Sequence, residues 1–215
     1  MHTTDPEIPT ITQYTFDRLI GAGGETSALS RTYGGHLQVV VRGEMLVRPT
    51  RVLAADECLQ LRPVASRTSA PEAARTFACV RVIGDGVLVV AREGGEFIPL
   101  RLREDTCFFA SDALWALEPS LSWEIGALPG SRRDGAPIEL VRVKGTGLVA
   151  LRVASPILAV KVTPGSRRRI LADALVGWIG GVVVGVDDDR DFLRCEGEGA
   201  VYVSDPEAGG EGTTR

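Results

Sequence analysis

Apolar and polar positions alternate with a period of two along much of this chain. Leu37, Val39 and Val41 are interleaved with Gln38, Val40 and Arg42, and Ile98, Leu100 and Leu102 with Pro99, Arg101 and Arg103. Such alternation, rich in Val and punctuated by Gly and Pro, predicts β-strands that bury one or both faces. Helical spacing is hard to follow for more than two turns. The best helical stretch, Ser69 to Thr76, reads as a loop with a single turn. The most apolar run, Ala174 to Val186, is interrupted by glycines and reads as buried strand, well short of the roughly 18 residues of a spanning helix. The expected class is all-β.

One phrase recurs within this pattern. Val80–Val90 pivots on Gly84 and Gly86, Glu139–Val153 on Gly145 and Gly147, and Leu193–Val203 on Gly197 and Gly199; a worn copy spans Val39–Val47 around Gly43. Three positions before the first glycine stands Arg81, Arg142 or Arg194. A second phrase, Ser111-Asp112-Ala113-Leu114-Trp115, is echoed by Ala172-Asp173-Ala174-Leu175-Val176, with Asp 28 residues beyond the first glycine in both cases. Ala55-Asp56-Glu57-Cys58-Leu59 is the expected early counterpart. A fixed internal period signals a repeat architecture. The reading is three units, each with a Gly-x-Gly bend, a return strand and a further strand pair. These structural turns fall at Gly84, Gly86, Gly145, Gly147, Gly197 and Gly199, where Gly tolerates a positive φ. Units this short share a core most simply around a pseudo-three-fold axis, as a β-sandwich or prism of antiparallel sheets.

Length and composition set the frame. The 215 residues, 44% hydrophobic and 24% charged, suit a single globular body. Residues 1–35 read as a flexible lead-in with a short element around Tyr14 to Ile20, residues 36–205 as one all-β domain, and residues 206–215 as a disordered tail. A net charge of −4 gives no bulk attraction to nucleic acid. The first 20 residues lack a basic segment followed by an apolar one, so a cytoplasmic location is expected. Cys58, Cys79, Cys107 and Cys195 form no C-x-x-C pair and read as reduced thiols, mostly buried.

The phrase Val162-Thr163-Pro164-Gly165, followed by Ala174-Leu175-Val176-Gly177-Trp178, resembles the Altered Inheritance of Mitochondria domain family over roughly residues 36–205. The resemblance implies a fold like that of the trp RNA-binding attenuation protein, in pseudo-three-fold arrangement and often further oligomerised. It implies no defined chemistry; mitochondrial members are implicated in inner-membrane organisation. The chain departs from the family pattern at Ala127 to Pro137 and at Arg167-Arg168-Arg169.

The side-chain inventory argues against catalysis. His2 and His36 are the sole histidines, too few for a cupin-like metal site or for a base beside a Ser or Cys nucleophile. The acidic run Asp187–Asp191 lacks the glycine and terminal glutamate of a calcium loop. No helix follows the Gly-x-Gly phrases, so they are not phosphate loops. No catalytic residue, metal or cofactor is expected. Two sets of arginines remain. Arg167, Arg168, Arg169, Arg132 and Arg133 are candidates for contact with an anion or partner, and Arg81, Arg142 and Arg194 for a polar ring around the repeat axis. The sequence therefore points to a non-catalytic structural or interaction module that self-associates or docks in a larger assembly. The alternative is a binding module for a lipid headgroup or nucleic acid through the arginine loops. Specific nucleic-acid binding lacks exposed aromatics beside those loops, and peripheral membrane contact rests on the arginines alone.

Overall fold

The structure, a computed structural model, describes residues 10–16, 18–20, 27–64, 79–133 and 135–207. The loop expected at Ser69–Thr76 and residues 208–215 of the expected tail lie outside the described residues, as do residues 1–9. A six-residue helix, α1 (Ile11–Phe16), buries none of its residues. Arg18 lies over the rings of Tyr14 and Tyr33, at 3.7 and 4.2 Å from their centroids.

Thirteen strands follow: β1 (Leu29–Arg31), β2 (Leu37–Val47), β3 (Val52–Ala55), β4 (Gln60–Pro63), β5 (Val80–Val90), β6 (Glu96–Ala110), β7 (Leu114–Leu117), β8 (Ser122–Ala127), β9 (Glu139–Val153), β10 (Leu158–Val162), β11 (Arg168–Leu171), β12 (Leu175–Val186) and β13 (Phe192–Val203). They form one large antiparallel sheet whose main path runs β10-β13-β12-β6-β9-β7-β2-β5-β3. The fold is all-β, as the alternation predicts. Strand β1 lies inside the stretch read as lead-in: it pairs with β2, and Leu29 is buried.

Three long strands are flanked along both edges. Strand β5 runs beside β2 on one edge; on the other, Val80–Ile83 meets β4 and Leu88–Val90 meets β3. Strand β9 is held the same way by β6, β8 and β7. Strand β13 lies between β12 on one edge and β10 and β11 on the other.

The Gly-x-Gly phrases sit in the interiors of these long strands, which corrects the expectation of a bend and a return strand. The chain does not reverse at Gly84, Gly86, Gly145, Gly147, Gly197 or Gly199; each lies within β5, β9 or β13. The positive φ of the first glycine (133°, 125° and 104° in order) redirects the strand without ending it. The partner strands yield at the same level. Gly43 faces Gly84, Gly180 faces Gly199, and the β6 register shifts between Leu102 and Asp105, opposite Gly147 and Gly145. The second glycine answers a different need at Gly147, where a Cβ would come within 2.7 Å of Ser120 Oγ and 3.0 Å of Glu118 Oε2.

The two Asp-Ala-Leu phrases hold matching places, each leading into a strand that pairs with the C-terminal part of β9 or β13. Asp56 does not share that place. It follows β3, its amide donates to Val87 O and its carboxylate accepts from Val87 N at 2.7 Å. Glu118 does the same one strand set later, toward Leu148 O and from Leu148 N at 2.8 Å. Asp56 therefore makes the bonds that Glu118 makes. Each carboxylate satisfies the amide just after a Gly-x-Gly phrase, which a bent strand otherwise leaves unpaired.

Three apolar clusters form the core. One gathers Phe109, Leu114, Leu117, Val141, Val149 and Leu151. A second joins Leu37, Val39, Val41, Leu88 and Val90 to Phe97 and Trp115, whose rings meet edge-on at 5.4 Å. The third packs Ile138, Val162, Leu175, Leu193 and Val201 around Trp178, which stacks on Phe108 at 4.8 Å. Fully burying such a side chain is worth about 1.5–3 kcal/mol, so these clusters carry the stability of the sheet.

Candidate functional site

The repeated arginines occupy outward positions of the long strands, each about half exposed. Arg81 Nε lies 3.0 Å from Glu44 on β2, Arg142 Nη1 3.5 Å from Glu124 on β8, and Arg194 Nε 3.1 Å from Glu196 on its own strand. No hydrogen bond or ion pair joins any two of the three. Each of the three is held in a local pair, because strand alternation turns these positions toward nearby carboxylates. Exposed pairs of this kind contribute about 0–1 kcal/mol each.

The loop arginines divide. Arg167 Nε reaches Glu196 at 3.0 Å, and Arg168 Nε donates to Lys161 O at 3.3 Å. Arg169 lies over Phe192 and contacts Asp187 and Asp189 at 3.0 and 3.4 Å, so the acidic hairpin tip neutralises it. Among the described residues no group of three or more His, Cys, Asp or Glu is placed to hold a metal. Arg132 donates to Gly135 O within its own loop at 3.4 Å.

Arg133 is different. Its side chain is 17% exposed; Nη1 donates to Asp112 Oδ2 at 2.9 Å and Nη2 to Ala172 O and Leu175 O at 2.7 and 2.9 Å. Asp173 Oδ1 lies 3.8 Å from Nε. Both aspartates of the repeated phrase are thereby brought to one guanidinium, at a cavity of about 190 Å³ that Arg152 and Ser204 also line. Its terminal nitrogens are taken up by the chain itself, while Nε is buried with no hydrogen-bond partner among the described residues, so Arg133 acts as a structural tie between the two turns.

A larger groove, about 520 Å³, was not apparent in the sequence, because β1, β6, β13 and the segment before β10 each contribute to it. Ile98, Leu100, Ile157 and Tyr202 line it, with the Arg31–Glu96 ion pair alongside. Burial raises the Tyr202 hydroxyl above its ordinary pKa.

The nucleophile inventory is quiet. His36 Nδ1 accepts from Arg92 N at 3.2 Å, which ties the imidazole into a turn. Burial pushes the Cys79 thiol up to about 12 and those of Cys107 and Cys195 up to about 11, so all three stay protonated near neutrality. Cys58 is exposed, and its Sγ donates to Asp85 O at 3.0 Å.

What the surface does offer is strand edge. The main path of the sheet ends at β3 and β10. Val52 and Leu53 of β3 are 37% and 48% exposed and Leu158 of β10 67%. Leu61 on β4 and Leu171 on β11 are also exposed. Unpaired edges bearing apolar side chains favour strand addition by another chain. No helix among the described residues is long and apolar enough to cross a membrane.

The chain matches the family model described as mitochondrial biogenesis AIM24 over residues 7–204. Among solved structures it is similar to protein SPYM3_0169 from Streptococcus pyogenes, with a TM-score of 0.62 at 14% identity, covering 84% of this chain and 90% of that one. That likeness speaks for the fold. No curated protein matches the chain.

Proposed function

The chain belongs to the mitochondrial biogenesis AIM24 family, and from that premise we propose that it is a non-catalytic interaction module that associates with further copies of itself or docks in a larger assembly. One observation carries the reading: among the described residues the sheet stops at β3 and β10, whose outer edges pair with no further strand and carry Val52, Leu53 and Leu158 exposed. The arginines that favoured an anionic ligand are engaged by carboxylates or carbonyls of their own chain, which weighs against that alternative.

We further propose that the three strand sets are copies of one unit, as the family resemblance implies, related by successive rotations that leave the third join of the series unclosed among the described residues. Corresponding backbone bonds support this. Ala91 donates to Arg51 O, Arg152 to Ala113 O and Ser204 to Ala174 O, each donor seven residues beyond the first glycine of its phrase. The registers shift at Leu53, Trp115 and Val176, two positions after each of those acceptors.

Size-exclusion chromatography with light scattering, run over a hundredfold range of concentration, tests the module reading together with a pull-down from native lysate. A mass above 22.9 kDa or a reproducible stoichiometric partner is expected. A monomer at every concentration with no partner overturns it.

A further inference from the structure

Two joins within the chain share one geometry. The end of β2 meets β7 as Leu46↔Leu117 and Val47↔Ala116, and the end of β6 meets β12 as Phe108↔Trp178 and Phe109↔Gly177. In each, the entering strand has just passed its register shift, at Trp115 or Val176, and holds its own long strand on the opposite edge. The exiting strands also correspond. Val47 pairs with Val80, four residues before Gly84, and Phe109 with Val141, four before Gly145.

Among the described residues, one entrance and one exit of this kind remain without partners. Strand β3 shifts register at Leu53 and continues to Ala54, yet pairs with β5 alone. In β11, Ile170 pairs with Leu193, four residues before Gly197, and the strand pairs with β13 alone. We propose that β3 of one copy pairs antiparallel with β11 of a second copy, completing a third join between molecules. The inference rests on the self-association reading above and names its surface.

The two existing joins set the register: Ala54 opposite Ile170 and Ala55 opposite Arg169. Ala54 stands where Ala116 and Gly177 stand, and a small residue belongs there, because a Cβ on Gly177 would meet Phe108 O at 2.3 Å. At the same end of this pair Asp56 and Glu57 follow β3 while Arg167 precedes Arg168 of β11, which brings acid toward base. Pairing also covers Val52 and Leu53, and Leu171, which is 41% exposed. Because the two surfaces differ, the contact is head-to-tail and builds a ring or an open chain.

Cysteine pairs test it in the full chain with exposed Cys58 changed to Ser. Ala55→Cys protein mixed with Arg169→Cys protein is expected to give a disulfide dimer under mild oxidation, whereas the same chain carrying both changes gives a ladder. Charge reversal supplies a second readout. Glu57→Arg or Arg167→Glu alone lowers the fraction assembled several-fold, and the two together restore it. Oligomers that form without the Ala55–Arg169 crosslink and ignore the charge reversals overturn this join while leaving self-association intact. A monomer that crosslinks only within itself overturns the intermolecular join, and a chain that never self-associates overturns both the join and self-association.

Discussion

Arg133 and Asp112, 21 positions apart in sequence, meet with Nη1 2.9 Å from Oδ2. The other terminal nitrogen binds the carbonyls of Ala172 and Leu175, so one guanidinium bridges the turn before β7 and the turn before β12. Those turns open the strands that join the three sets together, and this places a largely buried charge where two parts of the sheet meet.

Removing that tie is expected to be expensive. Arg133→Ala removes three hydrogen bonds, but Asp112 is 59% exposed and Ala172 O keeps the Leu175 amide, so a loss of about 1–3 kcal/mol follows from the usual worth of such bonds. Arg133→Lys keeps the charge but not the planar fork, so it recovers less than half of the loss. Urea denaturation of the three proteins checks the order. Equal stability of Lys and Arg at this position would show that geometry is irrelevant there.

Two glycines in one strand make a contrasting pair. A Cβ on Gly177 would lie 2.3 Å from Phe108 O and 2.8 Å from the Phe109 ring, whereas one on Gly185 meets nothing within 4 Å. Gly177→Ala must push β12 off β6 and is expected to cost at least about 3 kcal/mol or prevent folding. Gly185→Ala should stay within about 0.5 kcal/mol of the parent, or gain slightly from reduced backbone freedom when unfolded. Thermal melts of both variants report the difference directly.

These contacts explain what the sequence could and could not reveal. Period-two alternation identifies strands because one face of each is buried, and that property is local. The Gly-x-Gly phrase was legible as a site of backbone freedom. Whether the chain turns back there or runs on depends on the opposite strand, and Gly43 facing Gly84 lies 41 residues away. Asp56 resembles Asp173 in sequence through a shared Ala-Asp dipeptide; Glu118, which makes the same bonds to a strand residue, shares only Ala two positions before and Leu three after, too little to mark the pair in the sequence. The sequence offers Arg133 as a contact for an anion or partner because its partners Ala172 and Leu175 act through backbone carbonyls, which carry no residue signature. Arg81, Arg142 and Arg194 were visible as a repeat, but the carboxylates that engage them lie at three different relative positions.

Thiol chemistry separates one cysteine from the rest. Cys58 is exposed, while Cys79, Cys107 and Cys195 are buried with raised pKa values. An aromatic disulfide reagent at pH 8 should therefore titrate one thiol rapidly in the native protein and four in denaturant. Cys58→Ser removes the fast phase. A second fast thiol in the native protein would mean that one of the three core positions opens readily to solvent.

Cys79 ties stability to alkaline pH. Burial drives its thiol up to about 12, against the opposing pull of the Arg48 guanidinium. The unfolded thiol ionises near 8.5. The native state thus prefers the protonated form, and the resulting stabilisation is complete below about pH 8.5 and fades as pH rises toward 12. Cys79→Ala abolishes this dependence at the expense of a small cavity, worth roughly 1 kcal/mol at neutral pH. The stability gap between parent and variant should then shift by about 3 kcal/mol between pH 7.5 and pH 10.5 and so reverse, as each pH unit above the unfolded value removes about 1.4 kcal/mol. Other groups titrate over this range in both proteins and cancel in the difference. Urea midpoints at the two pH values measure it, and a gap that stays constant would place the Cys79 thiol in contact with water.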